Sequence, residues 1–566
     1  MRNFLCLLAA ALFSTAAAQE PSSVRDWIAR NAIRLTTPEA GHGFDDMQPL
    51  KKVVGDARIV ELGEATHGSR EFFQLKHRMV EFLATQMGFT IFGIEANMPE
   101  AYRLNDYVLT GKGDPAALIK GMYFWTWNTQ EVLAMVQWMR EFNASGKGRI
   151  QFTGFDMQTP DVAAKIVGDF VAAHDPEYSD TLAKATRLAL ATPAASGRFG
   201  TATGSFPVAA AAGKTIRFNG YIKTQNASTG YAGLWWRADG DDRKVLSFRN
   251  LGDAAPKGTT EWKKYSLEMA VPAETRNINF GALLDGEGTA WVDGLSVEID
   301  GVPYENEAVF RFAKPGAPYS QGPYRLRLDG ETMREGHPTL MIRREAQPAN
   351  TVDPQEGVAP WKDVLKHMEL SREKYGANSD TEWAIQNARV VLQCMQGRAN
   401  EVYRDASMAA NIKWILDQNP GQKMVVWAHN GHVNFGGQRG KFAPMGEWLR
   451  QAYDTELVSF GFAFNQGGFQ ATEPGKGLHD FTIPPAPEGS LDAMLASTRI
   501  PLFALDLRRV PKEGPVAEWF AQPHPARSIG AVYSEAQAGN FFTTVPAPQA
   551  FHVLLFVEKT TPARKN

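Results

Sequence analysis

Short apolar runs that end in polar clusters recur in both halves of the chain and are typical of buried parallel strands. Between the first two runs, apolar residues at helical spacing predict a helix capped by Ser69 and stopped by Gly88. A strand, a helix and a strand in this order predict a right-handed crossover unit. Further helices are expected at residues 129–142, 381–397 and 406–418. The pattern predicts an α/β fold with a mostly parallel sheet flanked by helices. Its predicted strands span residues 57–62, 89–94, 150–155 and 423–427.

The stretch from about residue 197 to 344 follows a different rule, because its apolar residues alternate with polar ones at a period of two. Ile216, Phe218 and Ile222 show the alternation, and glycine-containing turns separate such runs. This is typical of an antiparallel sandwich. The α/β pattern resumes near Trp361, so an inserted antiparallel β-sandwich is expected. The predicted domains are an α/β domain at residues 19–196 and 350–566 and an insert at residues 197–349.

Composition narrows the class of protein. The chain has 566 residues, of which 44% are hydrophobic and 21% charged, which is ordinary for a globular protein with a large core. The formal net charge of −3 gives no broad basic surface, so no nucleic-acid partner is expected.

Residues 1–18 are typical of a secretory signal peptide. Arg2 supplies positive charge, residues 4–13 form an apolar run too short to span a bilayer, and residues 15–18 are small. Cleavage after Ala18 would leave Cys394 as the single cysteine, which excludes an intramolecular disulfide. We expect a periplasmic or extracellular protein with no integral membrane segment after cleavage. A buried N-terminal helix is the alternative interpretation.

Polar side chains of catalytic type follow each of the predicted parallel strands. The carboxyl ends of parallel strands meet at one edge of a sheet, where such folds place their binding crevice. If the strands share one sheet, these side chains converge, although each alone would be unremarkable as a helix cap or surface group. They are Glu64, His67, Glu95, Asp156, His429 and His432.

Lys76 falls on the apolar stripe of the first predicted helix, one turn after Phe72 and one turn before Met79. A buried ammonium group needs a partner, and the carboxylates at the strand ends are the nearest source of negative charge. The alternative is that the lysine stem extends along the helix and places the ammonium in water.

This set of residues suits hydrolysis. A neutral histidine is the usual base for taking a proton from water, and a carboxylate can orient its ring. The chain lacks the Gly-x-Ser-x-Gly turn of serine hydrolases and the glycine-rich loops that bind nucleotides. We therefore expect no cofactor. A divalent metal held by Glu64, His67, His429 and His432 stays an alternative at this point.

Three motifs resemble those of the erythromycin esterase family. They are the sequence from Gly63 to Gly68 followed by Glu71, the sequence from Gly93 to Ala96, and the sequence from Trp427 to Val433. The resemblance covers about residues 25–195 and 355–562.

The resemblance implies a role for each matched residue. His67 resembles the general base and Glu64 its supporting carboxylate, while Glu95, His429 and His432 match other active-site positions. Lys76 stands where some members have arginine, which keeps the charge but loses the planar two-pronged contact. Asp156 would complete the polar network.

The family implies an ester or lactone substrate, best known in macrolide antibiotics and hence in antibiotic resistance. Two departures weaken a macrolide assignment: resistance esterases act in the cytoplasm and lack an inserted β domain. The alternatives are a metal-dependent amide or peptide hydrolase and a non-catalytic glycan-binding envelope protein.

The insert is similar to carbohydrate-binding sandwiches, so it is a possible glycan-binding module. Aromatic faces could stack on sugar rings, although packing inside the insert is the plainer interpretation. Neighbouring Trp235 and Trp236 must point to opposite faces of a strand. The candidate aromatic residues are Trp235, Trp236, Trp262 and Trp291.

Overall fold

The computed structural model describes residues 20–193, 199–240, 244–316, 318–346, 351–400, 402–436, 443–473 and 476–566. The predicted signal peptide at residues 1–18 therefore lies outside the described residues. Internal contacts divide the chain into two compact units, one formed by Met1–Leu190 with Asp353–Asn566 and the other by Ala191–Val352.

The elements before the second unit alternate between helices and strands. In chain order they are α1 (Glu20–Asn31), β1 (Ile33–Arg34), α2 (Leu50–Val54), β2 (Ile59–Leu62), α3 (Arg70–Met87), β3 (Phe89–Asn97), α4 (Met98–Thr110), α5 (Pro115–Lys120), α6 (Gln130–Ala144), β4 (Gln151–Asp156), α7 (Asp161–His174) and α8 (Ser179–Leu190).

The second unit consists mainly of strands. They are β5 (Thr192–Pro193), β6 (Phe199–Ser205), the short helix α9 (Val208–Ala211), β7 (Thr215–Ala227), β8 (Tyr231–Asp239), β9 (Val245–Asn250), β10 (Gly258–Ala270), β11 (Asn277–Asp285), β12 (Thr289–Ile299), β13 (Val302–Pro303), β14 (Tyr319–Gln321), β15 (Tyr324–Arg334), β16 (His337–Arg344) and β17 (Thr351–Val352).

The first unit then continues with helices and its remaining strands. They are α10 (Val358–Leu370), α11 (Arg372–Tyr375), α12 (Ser379–Ala399), α13 (Tyr403–Gln418), β18 (Lys423–Trp427), α14 (Asn430–Val433), α15 (Met445–Tyr453), β19 (Leu457–Glu473), β20 (Gly477–Ile483), α16 (Leu491–Ala496), β21 (Leu502–Asp506), α17 (Pro515–Ala521), β22 (His524–Arg527), β23 (Phe542–Val545), α18 (Ala547–Ala550) and β24 (Val553–Thr560).

One large mixed sheet forms the centre of the first unit. Its order is β1-β21-β24-β19-β2-β18-β3-β4, and β20 pairs with β19. The run from β24 to β4 is parallel, whereas β1, β20 and β21 pair antiparallel with their neighbours. The sequence predicted β2, β18, β3 and β4, which lie side by side in the sheet. It did not predict β19, β21 and β24, and the antiparallel edge makes the sheet mixed.

Hydrophobic cores cover both faces of this sheet because side chains alternate along each buried strand. Val60 and Val425 face a core that includes Phe72 of α3. Ile59 and Met424 face a second core built with α7, α10, α12 and α13. Both faces are therefore covered, as expected for strands that read as continuous apolar runs.

The predicted helices are present with small shifts of their ends. Gly88 ends α3 in the left-handed conformation, at φ 72°, which glycine adopts without strain. Ser69 occupies the N-cap position of α3, but its side chain makes no capping hydrogen bond, so the expected capping role was wrong. Thr129 does cap α6 by accepting from the Val132 amide.

The second unit contains two antiparallel sheets that share one hydrophobic core. The larger has the order β10-β7-β12-β16-β15-β14 with β13 beside β12, and the smaller has the order β6-β11-β8-β9. Phe218 of the larger sheet and Phe280 of the smaller sheet belong to the same buried cluster. Trp236 and Trp291 are buried, at 0% and 6% exposure. They are therefore packing residues and not the sugar-stacking surface that the sequence allowed.

No helix within the described residues is long and apolar enough to cross a membrane.

Cys394 is buried in α12 as a free thiol, and burial raises its pKa to about 12.

Candidate active site

Glu64 lies at the centre of a buried cluster beyond the carboxyl end of β2. Its Oε1 is 2.7 Å from Nδ1 of His67. Its Oε2 accepts hydrogen bonds from the Lys76 ammonium at 2.7 Å and from the Trp427 indole N–H at 2.9 Å. Glu64 and Lys76 have no solvent exposure in their side chains. The snorkelling alternative for Lys76 was therefore wrong, and its ammonium group is committed to Glu64.

Charge inside this cluster is balanced by contact and not by solvent. Burial alone would raise the pKa of Glu64, but the ammonium of Lys76 and the hydrogen bond with His67 lower it below its usual value. Burial lowers the pKa of Lys76 to about 8, against the opposing attraction of Glu64. The ammonium also lies 4.4 Å from the centre of the Trp427 ring, a cation–π contact. Near neutral pH the pair is therefore a carboxylate and an ammonium.

The ionised carboxylate of Glu64 determines the tautomer of His67. A carboxylate only accepts, so Nδ1 of His67 must carry the proton that it donates to Glu64. Nε2 is then the basic nitrogen of the neutral ring, and within the described residues it has no hydrogen-bond partner. The ring is part of a buried aromatic group, with the Trp127 ring edge-on at 5.9 Å and the His429 ring at 4.9 Å between centroids.

The loop that carries His67 is held by backbone hydrogen bonds from distant segments. The Gly63 amide donates to Phe460, and the carbonyl of Gly68 accepts from Gln470 and Ala563. A Cβ on Gly68 would overlap the Gln470 backbone, so only glycine fits beside this strand. Segments far apart in sequence therefore fix the position of the residue next to His67.

His429 has the opposite tautomer. It caps α14 by accepting the Gly431 amide at Nδ1, and its Nε2 lies 3.2 Å from the Ile529 carbonyl. Nδ1 thus accepts and Nε2 carries the proton. Burial, together with the adjacent His67, lowers the pKa of His429 to about 3, so this ring stays neutral near pH 7.

A second charged cluster surrounds Arg404 at the start of α13. The guanidinium donates to Glu95 Oε1 at 2.8 Å and to Asp156 Oδ2 at 2.7 Å. The other oxygen of Glu95 accepts the backbone amide of His429 at 2.9 Å, which joins the two clusters. Burial alone would raise the pKa of Glu95, but His432 and Arg404 lower it well below its usual range.

His432 lies between two carboxylates. Its Nδ1 is 3.0 Å from Asp405, and its Nε2 is 3.3 Å from Glu95 and 3.1 Å from Nη1 of Arg404. Burial alone would lower its pKa, but these two carboxylates raise the pKa to about 10. His432 is therefore an imidazolium near neutral pH, unlike His429 three residues before it.

The structure brings all seven predicted site residues into these two joined clusters. Glu64, His67, Lys76 and His429 lie in the first, and Glu95, Asp156 and His432 lie in the second. The dispersed arrangement that would have favoured a non-catalytic protein is not observed.

Sequence reasoning missed several members of the site. Arg404 and Asp405 are helix residues, not strand-end residues, and the available signal was that they lie within residues 355–562, which resemble the family. Trp127, whose indole donates to the Glu95 carbonyl at 3.0 Å, lies within residues 25–195, which resemble the family. The Ile529 carbonyl gave no signal. A main-chain oxygen has no sequence signature, so only the fold reveals it.

Among the described residues, no group of three or more histidine, cysteine or carboxylate side chains is placed to hold a metal ion.

The fold and site define a class: a mixed α/β protein with a buried histidine–carboxylate site at the carboxyl edge of its parallel strands. The sequence profile of the erythromycin esterase family matches residues 84–216 and 328–560, more than half of the chain. The chain belongs to the erythromycin esterase family.

Relatives agree with this placement. Erythromycin esterase type II of Escherichia coli is 31% identical over 135 residues, which are 23% of this chain and 31% of that protein. The match thus spans about a third of the length of this curated relative.

Solved structures show the same fold at low identity. A Bacillus cereus protein aligns with a TM-score of 0.61 and 18% identity, over 96% of this chain and 99% of its own. A mutant of the erythromycin esterase EreC in its open conformation aligns with a TM-score of 0.51 and 12% identity, over 92% of this chain and 95% of its own.

The charge of His432 makes a prediction about stability. Its pKa rises from 6.5 to about 10 on folding, so the charged ring stabilises the fold fully below pH 6.5, and this contribution is lost as the pH rises through 10. We expect His432→Gln to lower the free energy of unfolding by about 2–4 kcal/mol below pH 6.5 and by progressively less towards pH 10.

Urea unfolding of both proteins across this pH range measures the difference. His42→Gln is the matched control, because the His42 side chain is 57% exposed and its contact with Glu39 is worth little. A deficit of His432→Gln that does not change with pH would contradict the charged state.

Proposed function

We propose that this protein hydrolyses carboxylic esters or lactones with His67 as the general base. The observation that carries the proposal is the bond from His67 Nδ1 to the ionised Glu64, which leaves a basic Nε2 without a partner among the described residues. A base of this kind takes a proton from water near neutral pH.

The reaction runs in two stages. His67 Nε2 removes a proton from water while the water oxygen forms a bond to the substrate carbonyl carbon, giving a tetrahedral oxyanion and a His67 imidazolium. Collapse of the oxyanion breaks the bond to the alkoxide leaving group, which takes the proton from His67. Glu64 stabilises the imidazolium between these stages, the role of the carboxylate in a catalytic triad.

The second cluster holds two cations, each paired with carboxylates, that we propose assist the oxyanion. Arg404 and the charged His432 both contact Glu95, whose other oxygen bonds the backbone of His429. We assign His432 to assisting the oxyanion or the leaving group, and Glu95 and Asp156 to positioning Arg404. Both ring nitrogens of His429 are engaged by the backbone, so we assign His429 to positioning the adjacent His67 ring.

The chemistry of the donor set disfavours the metal-dependent alternative. Both oxygens of Glu64 and both ring nitrogens of His429 already have protein partners. The Lys76 ammonium is 2.7 Å from the carboxylate that a metal would need. These contacts support direct activation of water by His67.

Two classes of substrate fit this proposal. A macrolide lactone is one candidate because of the family, and an acylated sugar is another.

We also propose export to the periplasm or the outside of the cell, on the signal-like pattern of residues 1–18. N-terminal sequencing of the secreted protein would then begin at Gln19, and a cytoplasmic protein that keeps Met1 would contradict it.

A hydrolysis screen tests the activity. We expect the protein to hydrolyse at least one of a macrolide, a simple aryl ester or an acylated sugar, and His67→Ala to lower kcat by about 10²–10⁴-fold, the usual contribution of a general base. A chelator should leave the rate unchanged.

His42→Ala is the control, since it removes an exposed histidine from the same unit. Full activity of His67→Ala, or loss of activity on adding the chelator, would overturn the assignment.

Lys76 provides a test of how the base is prepared. Replacing it with methionine keeps the length of the side chain but removes the charge that lowers the pKa of Glu64, so that pKa should rise. In Lys76→Met, activity should be reduced near neutral pH and should rise with pH as Glu64 ionises. The pH dependence of kcat for both proteins measures this shift.

Lys165→Met is the matched control, because Lys165 is 71% exposed and pairs only with Asp169. A pH profile of Lys76→Met that coincides with the wild-type profile would show that Lys76 has no influence on the base.

A further inference from the structure

The outer face of the smaller sheet of the second unit carries a concave cavity of about 440 Å³. This volume lies within the range of small-ligand sites. The face is the one opposite the shared core, because Trp235 is part-exposed while neighbouring Trp236 is fully buried.

Strand register explains why this face is hollow. Gly281 of β11 lies directly between Thr203 of β6 and Trp235 of β8, and Gly233 of β8 pairs with Leu283. Two positions in the middle of the face therefore have no side chain. Larger residues on the flanking positions rise around them and form the walls.

The indole of Trp235 is fixed across this hollow. Its N–H donates to the Thr201 hydroxyl at 2.9 Å, although β6 and β8 are separated by β11. The ring must therefore extend over β11, above the position where Gly281 has no side chain. Such a bond fixes the orientation of the ring before any ligand arrives, which lowers the entropic cost of binding.

Further aromatic rings and neutral polar groups surround Trp235. Phe199 and Phe248 are 52% and 49% exposed, unusual for phenylalanine on a surface. Asn250 and Asn279 also line the cavity. A surface of exposed rings with amide groups between them matches a ligand that has both apolar faces and hydroxyl edges.

The charges of the cavity favour a neutral ligand. Arg237 and Asp285 are the charged residues in the described lining of the cavity. The Arg237 guanidinium is paired with Asp239 at 2.7 Å. The lining therefore offers no surplus of positive charge for a phosphate or a carboxylate.

We propose that this cavity binds a neutral carbohydrate, with a sugar ring stacked on Trp235. Of the tryptophans considered from the sequence, Trp235 alone lines the cavity, since Trp236 and Trp291 are buried and Trp262 lies on the larger sheet. The site is independent of the proposed hydrolysis, because its residues all belong to the second unit.

Calorimetric titration of the full chain with cello-, xylo-, manno- and maltohexaose tests the proposal. We expect at least one of these oligosaccharides to bind, and Trp235→Ala to weaken that binding by about tenfold or more. Trp235→Phe should keep part of the affinity because it retains an aromatic face.

Two further variants make the test specific. Trp262→Ala removes a part-exposed tryptophan from the larger sheet and should leave binding unchanged. Gly233→Ala should weaken binding because the added methyl group fills part of the hollow. The protein should still fold, because the nearest atom to the added Cβ is on the Tyr231 ring at an ordinary 3.4 Å.

Three results would overturn the proposal. They are the absence of binding by all four sugars at millimolar concentration, binding that survives in Trp235→Ala, and equal losses in Trp235→Ala and Trp262→Ala. Binding of the apolar dye ANS that depends on Trp235, with no sugar bound, would assign the face to an apolar partner instead.

Discussion

The ion pair between Glu64 and Lys76 is the constraint on which the arrangement of the site depends. Neither side chain reaches solvent, and an isolated charge at either position would be strongly unfavourable. Together they keep a carboxylate ionised in an apolar environment, beneath Trp427 and close to Phe462. That carboxylate can only accept, so the tautomer of His67 follows from this buried ion pair.

Three histidines in one region thus have three different environments. His67 faces an ionised glutamate, His429 is enclosed between a backbone amide and a backbone carbonyl, and His432 lies between two carboxylates. The pKa of His429 is lowered to about 3 and that of His432 is raised to about 10, although only three positions separate them. Pushing neighbouring pKa values apart in this way is how a site obtains separate acid and base roles.

The sequence could predict the parts of this site that follow from strand geometry. Glu64, Glu95, Asp156 and His429 each follow or end an apolar run, and parallel strands deliver their carboxyl ends to one edge. Lys76 could be placed because a charge on an apolar helical stripe requires a partner. Long-range pairing could not be predicted in this way. β19 is a long strand rich in glycine and phenylalanine, and its pairing with the distant β2 depends on how the whole sheet assembles.

Arg404, which lies on a helix, could not be predicted from the local sequence pattern either. Nothing in the sequence around Arg404 distinguishes it from a surface arginine. Its place in the site depends on hydrogen bonds to Glu95 and Asp156, which lie more than two hundred positions earlier. The tryptophans of the second unit were ambiguous for a related reason. Alternation along β8 requires Trp235 and Trp236 to face opposite sides, but it does not say which side is the core.

The tautomer of His67 shows directly whether Glu64 prepares this histidine to act as a base. Nitrogen-15 NMR of the histidine-labelled protein near neutral pH, with His67→Gln used to identify the signal, reports which ring nitrogen carries the proton. We expect a ring protonated at Nδ1, with a strongly deshielded proton shared with Glu64, and loss of that signature in Glu64→Gln. A ring protonated at Nε2, or one that does not respond to Glu64→Gln, would contradict it.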